Sequence, residues 1–346
     1  MKKILFTLAE ACLLSGSIFA ESKMVFIKGG TFLMGSPASE RMRGEDEAQH
    51  SVTVDDFYCD AFEVRQSDYE KLMGENPSYN KGANLPVENV SFYDALEYCN
   101  KKSLAEGLSA VYKIGGKNEK SSISFPDVGV DLAADGYRLL TEAEWEYACR
   151  AGTTTIFSTG NWNNPKDANY EGSYPYLIEE NYVRRTNPNV QPGLNRGKTI
   201  AVDSLSPNAF GLYNMHGNVS EWVFDYYGDY GDSVSASGGK SVLNPLGASV
   251  GVYRVNRGGG FNDFGKHLRS AYRSASNPLT KDRNLGFRIA RNAGKRNGVF
   301  ETRYDEKVSS ITIPKNPSVL VAYFSYSGNT ESAAEYISKS LKQKFG

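Results

Sequence analysis

Apolar and polar residues alternate in residues 24–27 (MVFI) and 31–34 (TFLM) around Gly29 and Gly30, a pattern that predicts two strands joined by a tight turn. Residues 51–54 (SVTV) with Phe57 and Tyr58 continue the strand pattern. Three helical segments follow, each opened by capping-box spacing. Ser67 with Glu70 precedes a helix that Gly74 can end, Ser91 with Asp94 one that runs towards Gly107, and Thr141 with Glu144 one that stops at Gly152. The polar run at residues 115–122 reads as a hairpin tip or loop. Residues 153–208 are rich in Asn, Gly, Pro and Tyr with little periodicity, which predicts long ordered loops on an α+β scaffold. So long a stretch needs support from bound metal ions or from dense side-chain to backbone hydrogen bonding, and its Asn and Asp side chains suit either.

The two ends have a different character. Met1-Lys2-Lys3 and the mostly apolar residues 4–20, ending in small residues, read as a secretory signal peptide cleaved after Ala20; the alternative is an amphipathic first helix. Cleavage would leave the mature protein exported, in the periplasm, at the cell surface or secreted. Residues 293–316 form a charged linker. Beyond it, residues 318–324 (SVLVAYF) have the continuous apolar character of a buried parallel strand, followed by the loop SYSGNT at 325–330 and a helical pattern, so residues 317–346 read as a β-loop-α fragment.

A formal charge of -1 with interspersed charges gives no electrostatic footprint for nucleic acid. After the leader, no segment approaches the roughly 20 apolar residues of a membrane span, so no transmembrane anchor is expected. Cys12 leaves with the leader, and Cys59, Cys99 and Cys149 remain, an odd number of which at least one is unpaired or bonded to another chain. Their spacing matches no zinc pattern, and His50, His216 and His267 are not at metal-binding spacing. Neither His216 nor His267 has a nucleophile or carboxylate at an identifiable spacing, which favours solvated loop histidines over general bases.

Five motifs occur in one order: GGTFLMGS at 29–36, LPVENVSFYDALEYC at 85–99, YRLLTEAEWEYACRAG at 137–152, NAFGLYNMHGNVSEW at 208–222, and RGGGF at 257–261 with NLGFR at 284–288. Together they resemble the formylglycine-generating enzyme, or sulfatase-modifying-factor, family across residues 24–292. Leu140 departs from the proline usual there. The resemblance implies an irregular α+β fold akin to C-type lectins, with little regular secondary structure. It places the family's catalytic cysteines at Asp263 and near Leu268, yet residues 254–291 contain no cysteine. Those thiolates hold copper(I), which needs soft sulfur ligands, so the resemblance implies neither copper nor cysteine oxidation here.

The resemblance also matches Cys99 and Cys149 to cysteines whose disulfide partners correspond here to Ile289 and Ser270. Both then read as small buried residues, with pairing to each other left open. It implies a structural calcium on residues 214–221, with Asn214, Gly217 and Val219 (the glycine and valine through carbonyls) and Glu221 as ligands; a hydrogen-bonded turn is the alternative. A second calcium site would begin at Asn169 and Tyr170, its other ligands unassigned because of an insertion after Tyr174. Asp263, His267, Arg269 and Arg273 fall on the stretch lining the family's pocket, where the arginines either bind a peptide, protein or small anionic ligand or form salt bridges within the fold. Residues 256–284 resemble the binding loops of variable proteins sharing this fold.

The tail resembles the first unit of a flavodoxin, with Ser325, Ser327, Asn329 and Thr330 in the loop that wraps the FMN phosphate. One strand and one helix build no flavin site, so a truncated domain without FMN is expected. The leading expectation is a calcium-stabilised binding module without cysteine-oxidase activity. The competing one is an oxidoreductase of the same family, using altered chemistry or electrons from a flavodoxin-like partner domain.

Overall fold

The alternation at residues 24–34 does produce strands, but not a hairpin. In the computed structural model, which describes residues 22–115, 126, 128–177, 193–230 and 240–294, β1 (Met24–Ile27) and β2 (Gly30–Met34) pair with a second extended run instead of with each other. That run is β3 (His50–Val54) and β4 (Phe57–Asp60), antiparallel to β2 and β1 respectively, with Gly30 opposite Val54 and Ile27 opposite Phe57. Gly29 marks the crossing between the two sheets. Its N–H donates to Asp56 Oδ1 at 2.8 Å, and a Cβ there would lie 2.3 Å from the Val54 carbonyl oxygen. Glycine is needed for that close approach and not for a turn.

Helices α1 (Gln66–Met73) and α2 (Phe92–Ala105) come next, followed by β5 (Tyr112–Ile114), β6 (Val128–Val130), β7 (Tyr137–Arg138) and α3 (Glu142–Arg150). Both later capping boxes form: Asp94 N donates to Ser91 Oγ and Ser91 N to Asp94 Oδ2, and Thr141 and Glu144 repeat the exchange. The first box does not form. Arg65 is the N-cap of α1 without a side-chain cap, and Ser67 lies inside the helix. Tertiary pairing sets that entry: Gln66 N donates to Leu85 O at 2.9 Å, and the buried Gln66 amide donates to the Asn80 and Pro86 carbonyls. Gly74 ends α1 at φ +85°, as its position predicts.

β5 and β6 are the antiparallel arms that bracket the polar insertion at 115–122, and residues 116–125 between them lie outside the described residues. The leader at 1–20, the linker beyond residue 294 and the segment bearing Ser325, Ser327, Asn329 and Thr330 also lie outside them. All described residues fall within one unit, Met1–Val299.

The C-terminal half supplies β8 (Ser220–Tyr226), β9 (Val242–Leu243), β10 (Arg254–Arg257), β11 (Ser274–Ser276), β12 (Leu285–Gly286) and β13 (Ala290–Asn292). Two four-stranded sheets result, ordered β1-β4-β13-β7 and β11-β10-β8-β12, with a smaller β2-β3-β9 sheet. One apolar cluster joins Phe92, Leu96, Tyr98, Trp222 and Phe287, and another joins Ile27, Val52, Phe57, Trp145 and Val255. Trp145 and Trp222 are fully buried with their N–H groups on Glu221 Oε2 and Val90 O; such rings contribute roughly 3–5 kcal/mol against truncation to alanine.

Between α3 and β8 no strand or α-helix forms among the described residues. Side-chain to backbone bonds support this stretch, as the composition predicts. Asn208 Oδ1 accepts from Phe210 N and Leu212 N while its amide donates to Ala148 O, and Arg196 Nη1 donates to Pro165 O and Ala168 O.

Candidate functional site

β10 lies between β11 and β8, and its end feeds Arg257 and the three glycines into the surface that carries the sequence-predicted residues. Gly260 admits Asn284: a Cβ there would lie 2.2 Å from Asn284 Oδ1. Asn284 Nδ2 and Gly260 N both donate to Asp263 Oδ2, at 2.7 and 2.8 Å, and so orient the carboxylate. Asp263 Oδ1 lies 3.6 Å from His267 Nδ1 on the 3-10 turn Gly265–Leu268. The two side chains are 32% and 25% exposed, open enough to meet a ligand. His267 therefore does have a carboxylate neighbour, one turn away.

Rings extend this surface. Phe264 stacks on Tyr174 at 4.4 Å between centroids and on His267 at 6.0 Å, and His267 meets Tyr272 at 4.8 Å. Burial, and then the charge of Asp263, push the Tyr272 phenol up to about 12, so it stays a neutral donor at physiological pH. A carboxylate, an imidazole and three aromatic rings on one face can bind by stacking and hydrogen bonding.

Arg269 and Arg273 are not open to a ligand in this way. Arg269 is fully buried and donates to Glu40 and Glu47 at 2.7 Å; Arg273 grips Glu142 at 2.7 and 2.8 Å and adds the Gly228 carbonyl. Arg257 is paired to Glu146 and Arg288 to Glu221, at 2.6 Å for the second. Of the two outcomes open to arginine, the structure places both candidates in internal salt bridges. Buried pairs of this kind are costly to break on one side only. Leu268 is also buried, packed with Phe157, Tyr170 and Tyr176.

The three described cysteines, Cys59, Cys99 and Cys149, are free and buried, so Cys99 and Cys149 do not pair with each other. Cys99 shares an apolar cluster with Ile289, and Cys149 Sγ lies 3.8 Å from Ser270 Oγ and 3.7 Å from His216 Nε2. A cysteine beside a histidine suggests a nucleophile, but the local bonding opposes it. Burial pushes the Cys149 thiol up to about 12 and the His216 imidazole down to about 4. His216 Nδ1 donates to Leu268 O at 2.7 Å while Nε2 accepts from Ser158 N at 3.0 Å, which leaves no free base.

In the loop at 214–221, Asn214 (φ +53°), Gly217 (φ +100°) and Asn218 (φ +69°) are left-handed, which folds the chain tightly. Asn214 Nδ2 donates to Glu63 Oε2 at 2.8 Å, whereas its Oδ1 is buried without a partner. The Glu221 oxygens are occupied by Arg288 and by Trp145 Nε1. Glu63, distant in sequence, is the carboxylate facing this loop, and burial, then the charge of Glu221, push it up to about 8. Asn169 also carries a buried Oδ1 without a partner, and its Nδ2 donates to Asn218 Oδ1 at 3.1 Å, so the two expected calcium sites share one hydrogen-bonded seam. Tyr170 is buried with its hydroxyl on Asn163 O. No group of three or more His, Cys, Asp or Glu side chains is placed to hold a metal among the described residues.

A family model described as the sulfatase-modifying factor enzyme 1-like domain matches residues 16–293. The chain is 34% identical over 230 residues to the chaperone protein LppX of Paenibacillus barcinonensis, covering 63% of this chain and 76% of that one. It is 33% identical over 300 residues to the formylglycine-generating enzyme of Mus musculus, covering 78% and 75%. It is 26% identical over 294 residues to the inactive C-alpha-formylglycine-generating enzyme 2 of Mus musculus, covering 79% and 86%. Among solved structures, Treponema denticola variable protein 1 superposes with a TM-score of 0.63 at 26% identity, covering 78% of this chain and 94% of that one. Among the described residues, no helix is long and apolar enough to cross a membrane.

Proposed function

The chain belongs to the sulfatase-modifying factor enzyme 1-like family, and on that premise we propose that it is an exported, calcium-stabilised binding module that does not oxidise cysteine. The observation that carries this reading is the position of its sulfur. Residues 254–291 contain no cysteine, and the described thiols are buried, with Cys59 and Cys149 each raised to about 12 by burial. Copper(I) needs exposed thiolates, and neither Asp263 nor Leu268 supplies one. That a relative over nearly the same span is named inactive, and another a chaperone, is in keeping with a fold put to binding. The ligand surface is the Asp263, Phe264, His267 and Tyr272 face, and its occupant a peptide, protein or small molecule.

Calcium fits the loop at 214–221 on one condition, that the carboxylate comes from Glu63. The unpartnered Asn214 Oδ1 is a hard donor without a proton to meet, and the Gly217 and Val219 carbonyls complete an oxygen set suited to calcium. A bound cation would favour the ionised form of Glu63, which burial and the charge of Glu221 otherwise oppose. Glu221, whose oxygens hold Arg288 and Trp145, stands behind that set as support, and Asn169 is the nearest candidate for a second position.

A competition titration against a chromogenic copper(I) chelator tests the central point. The expected result is that the reduced protein removes no copper from the chelator; uptake of one equivalent would overturn the reading.

A further inference from the structure

With Arg269 and Arg273 engaged inside the fold, the structure offers its open positive charge elsewhere. A cavity of about 760 Å³ lies between residues 79–85 and residues 196–205, a size suited to a small organic ligand. Among the described residues three cations line it, Lys81, Arg196 and Lys198, and no carboxylate does. In a chain of net charge -1 that is a local excess of one sign.

The cations are available. Lys198 is exposed and has no carboxylate partner among the described residues. Arg196 uses Nη1 on the Pro165 and Ala168 carbonyls, at 2.7 and 3.1 Å, which orients the guanidinium and leaves Nε and Nη2. Burial lowers the Arg196 pKa, and no anionic neighbour offsets it. Lys81 donates to Asn76 O at 2.6 Å and keeps further N–H groups. Glu88, which accepts from Asn80 N at 2.7 Å, is buried and does not line the cavity.

A second observation points to a ligand. Thr199, in the cavity wall, is 1% exposed, and its hydroxyl has no hydrogen-bond partner. Buried hydroxyls are nearly always satisfied, and one left open beside three cations is a donor awaiting an acceptor. Ser204, also in the wall, already donates its hydroxyl proton to Ala201 O at 2.7 Å, while Tyr79 at 70% exposure, Leu85 and Ile200 provide apolar wall. We propose that this cavity binds a small organic oxyanion, its carboxylate, phosphate or sulfate group held by Lys198, Arg196 and the Thr199 hydroxyl and its apolar body packed on Tyr79, Leu85 and Ile200.

This site is separate from the Asp263 face, so either can fail without the other. Titration calorimetry on the full chain tests it with phenyl phosphate, phenyl sulfate, benzoate, inorganic phosphate and, as cationic control, benzylamine. The organic anions bind; benzylamine and inorganic phosphate bind about tenfold weaker or not at all. Lys198→Ala, an exposed change, and Thr199→Val, a near-isosteric one, each weaken phenyl phosphate about tenfold, while Lys266→Ala, which does not line the cavity, changes it less than twofold. Inorganic phosphate binding as tightly as phenyl phosphate would remove the apolar wall from the proposal. Absence of binding by every anion, or equal weakening by Lys198→Ala and Lys266→Ala, would overturn it.

Discussion

Arg257, Arg269, Arg273 and Arg288 carry the same charge as Arg196 and Lys198, but their surroundings differ. The first four are buried against Glu146, Glu47, Glu142 and Glu221, whereas the second two line a cavity that has no carboxylate among the described residues. An arginine next to the expected pocket is therefore not a ligand-binding arginine on that ground. What decides is whether the fold has already supplied its anion. The family's signature stretch is held by its ion pairs, and the open cations lie in the irregular middle of the chain.

Substitutions can break that contrast. The largest effect is expected from Arg273→Ala, which removes both short hydrogen bonds to the buried Glu142 carboxylate, leaves it only Arg257 at 3.7 Å and the Tyr230 hydroxyl at 3.4 Å, and should cost about 3 kcal/mol in urea unfolding. A variant of undiminished stability would mean that the arginine is free for a ligand after all. Removal of the proposed calcium is expected to act on the other region, because Asn169 Nδ2 donates to Lys198 O and Ile200 N to Asn218 Oδ1, joining the cavity wall to the loop at 214–221. Chelation should lower stability by about 2–3 kcal/mol when calcium is otherwise near a hundredfold above its dissociation constant, and Glu63→Gln should abolish the difference. An unchanged melting temperature on chelation would remove calcium from the account.

Asp225 sharpens the first region. Its carboxylate accepts from Glu142 N at 2.7 Å, and burial, then the charge of Glu142, raise it to about 8. The folded state then binds the proton more tightly than the unfolded chain, so this stabilisation is complete below about pH 4 and is lost as pH rises towards 8. Asp225→Asn should flatten that slope by on the order of 1 kcal/mol per pH unit between about pH 4 and 8; an unaltered pH profile would show that Asp225 is ionised in the fold. The smallest effect belongs to Lys198→Ala, which should change stability by less than about 0.5 kcal/mol while weakening anion binding.

Local features were legible in the sequence where local physics decides. The capping boxes at Ser91 and Thr141 and the Gly74 stop needed only neighbours three or four residues away. The Ser67 box failed because Gln66 pairs with residues 80–86, and the hairpin at Gly29 failed because β1 found its partner at residues 57–60 and β2 its own at residues 50–54. Such pairings leave no mark in a short window of sequence. The site shows the same division. Asp263 and His267 share a face because they are four residues apart, whereas Glu63 reaches Asn214 across 151 positions and Cys149 reaches His216 across 67. A carboxylate in an otherwise apolar strand exit was the only signal for Glu63, and it is a weak one.

One assay tests the absence of cysteine oxidation most directly. The full chain, supplied with copper and oxygen, is incubated with a sulfatase-type Cys-x-Pro-x-Arg peptide, and aldehyde formation is followed by mass spectrometry. A scaffold with no exposed thiolate in residues 254–291 predicts that the peptide is recovered unchanged. Aldehyde produced faster than in the protein-free control would contradict it.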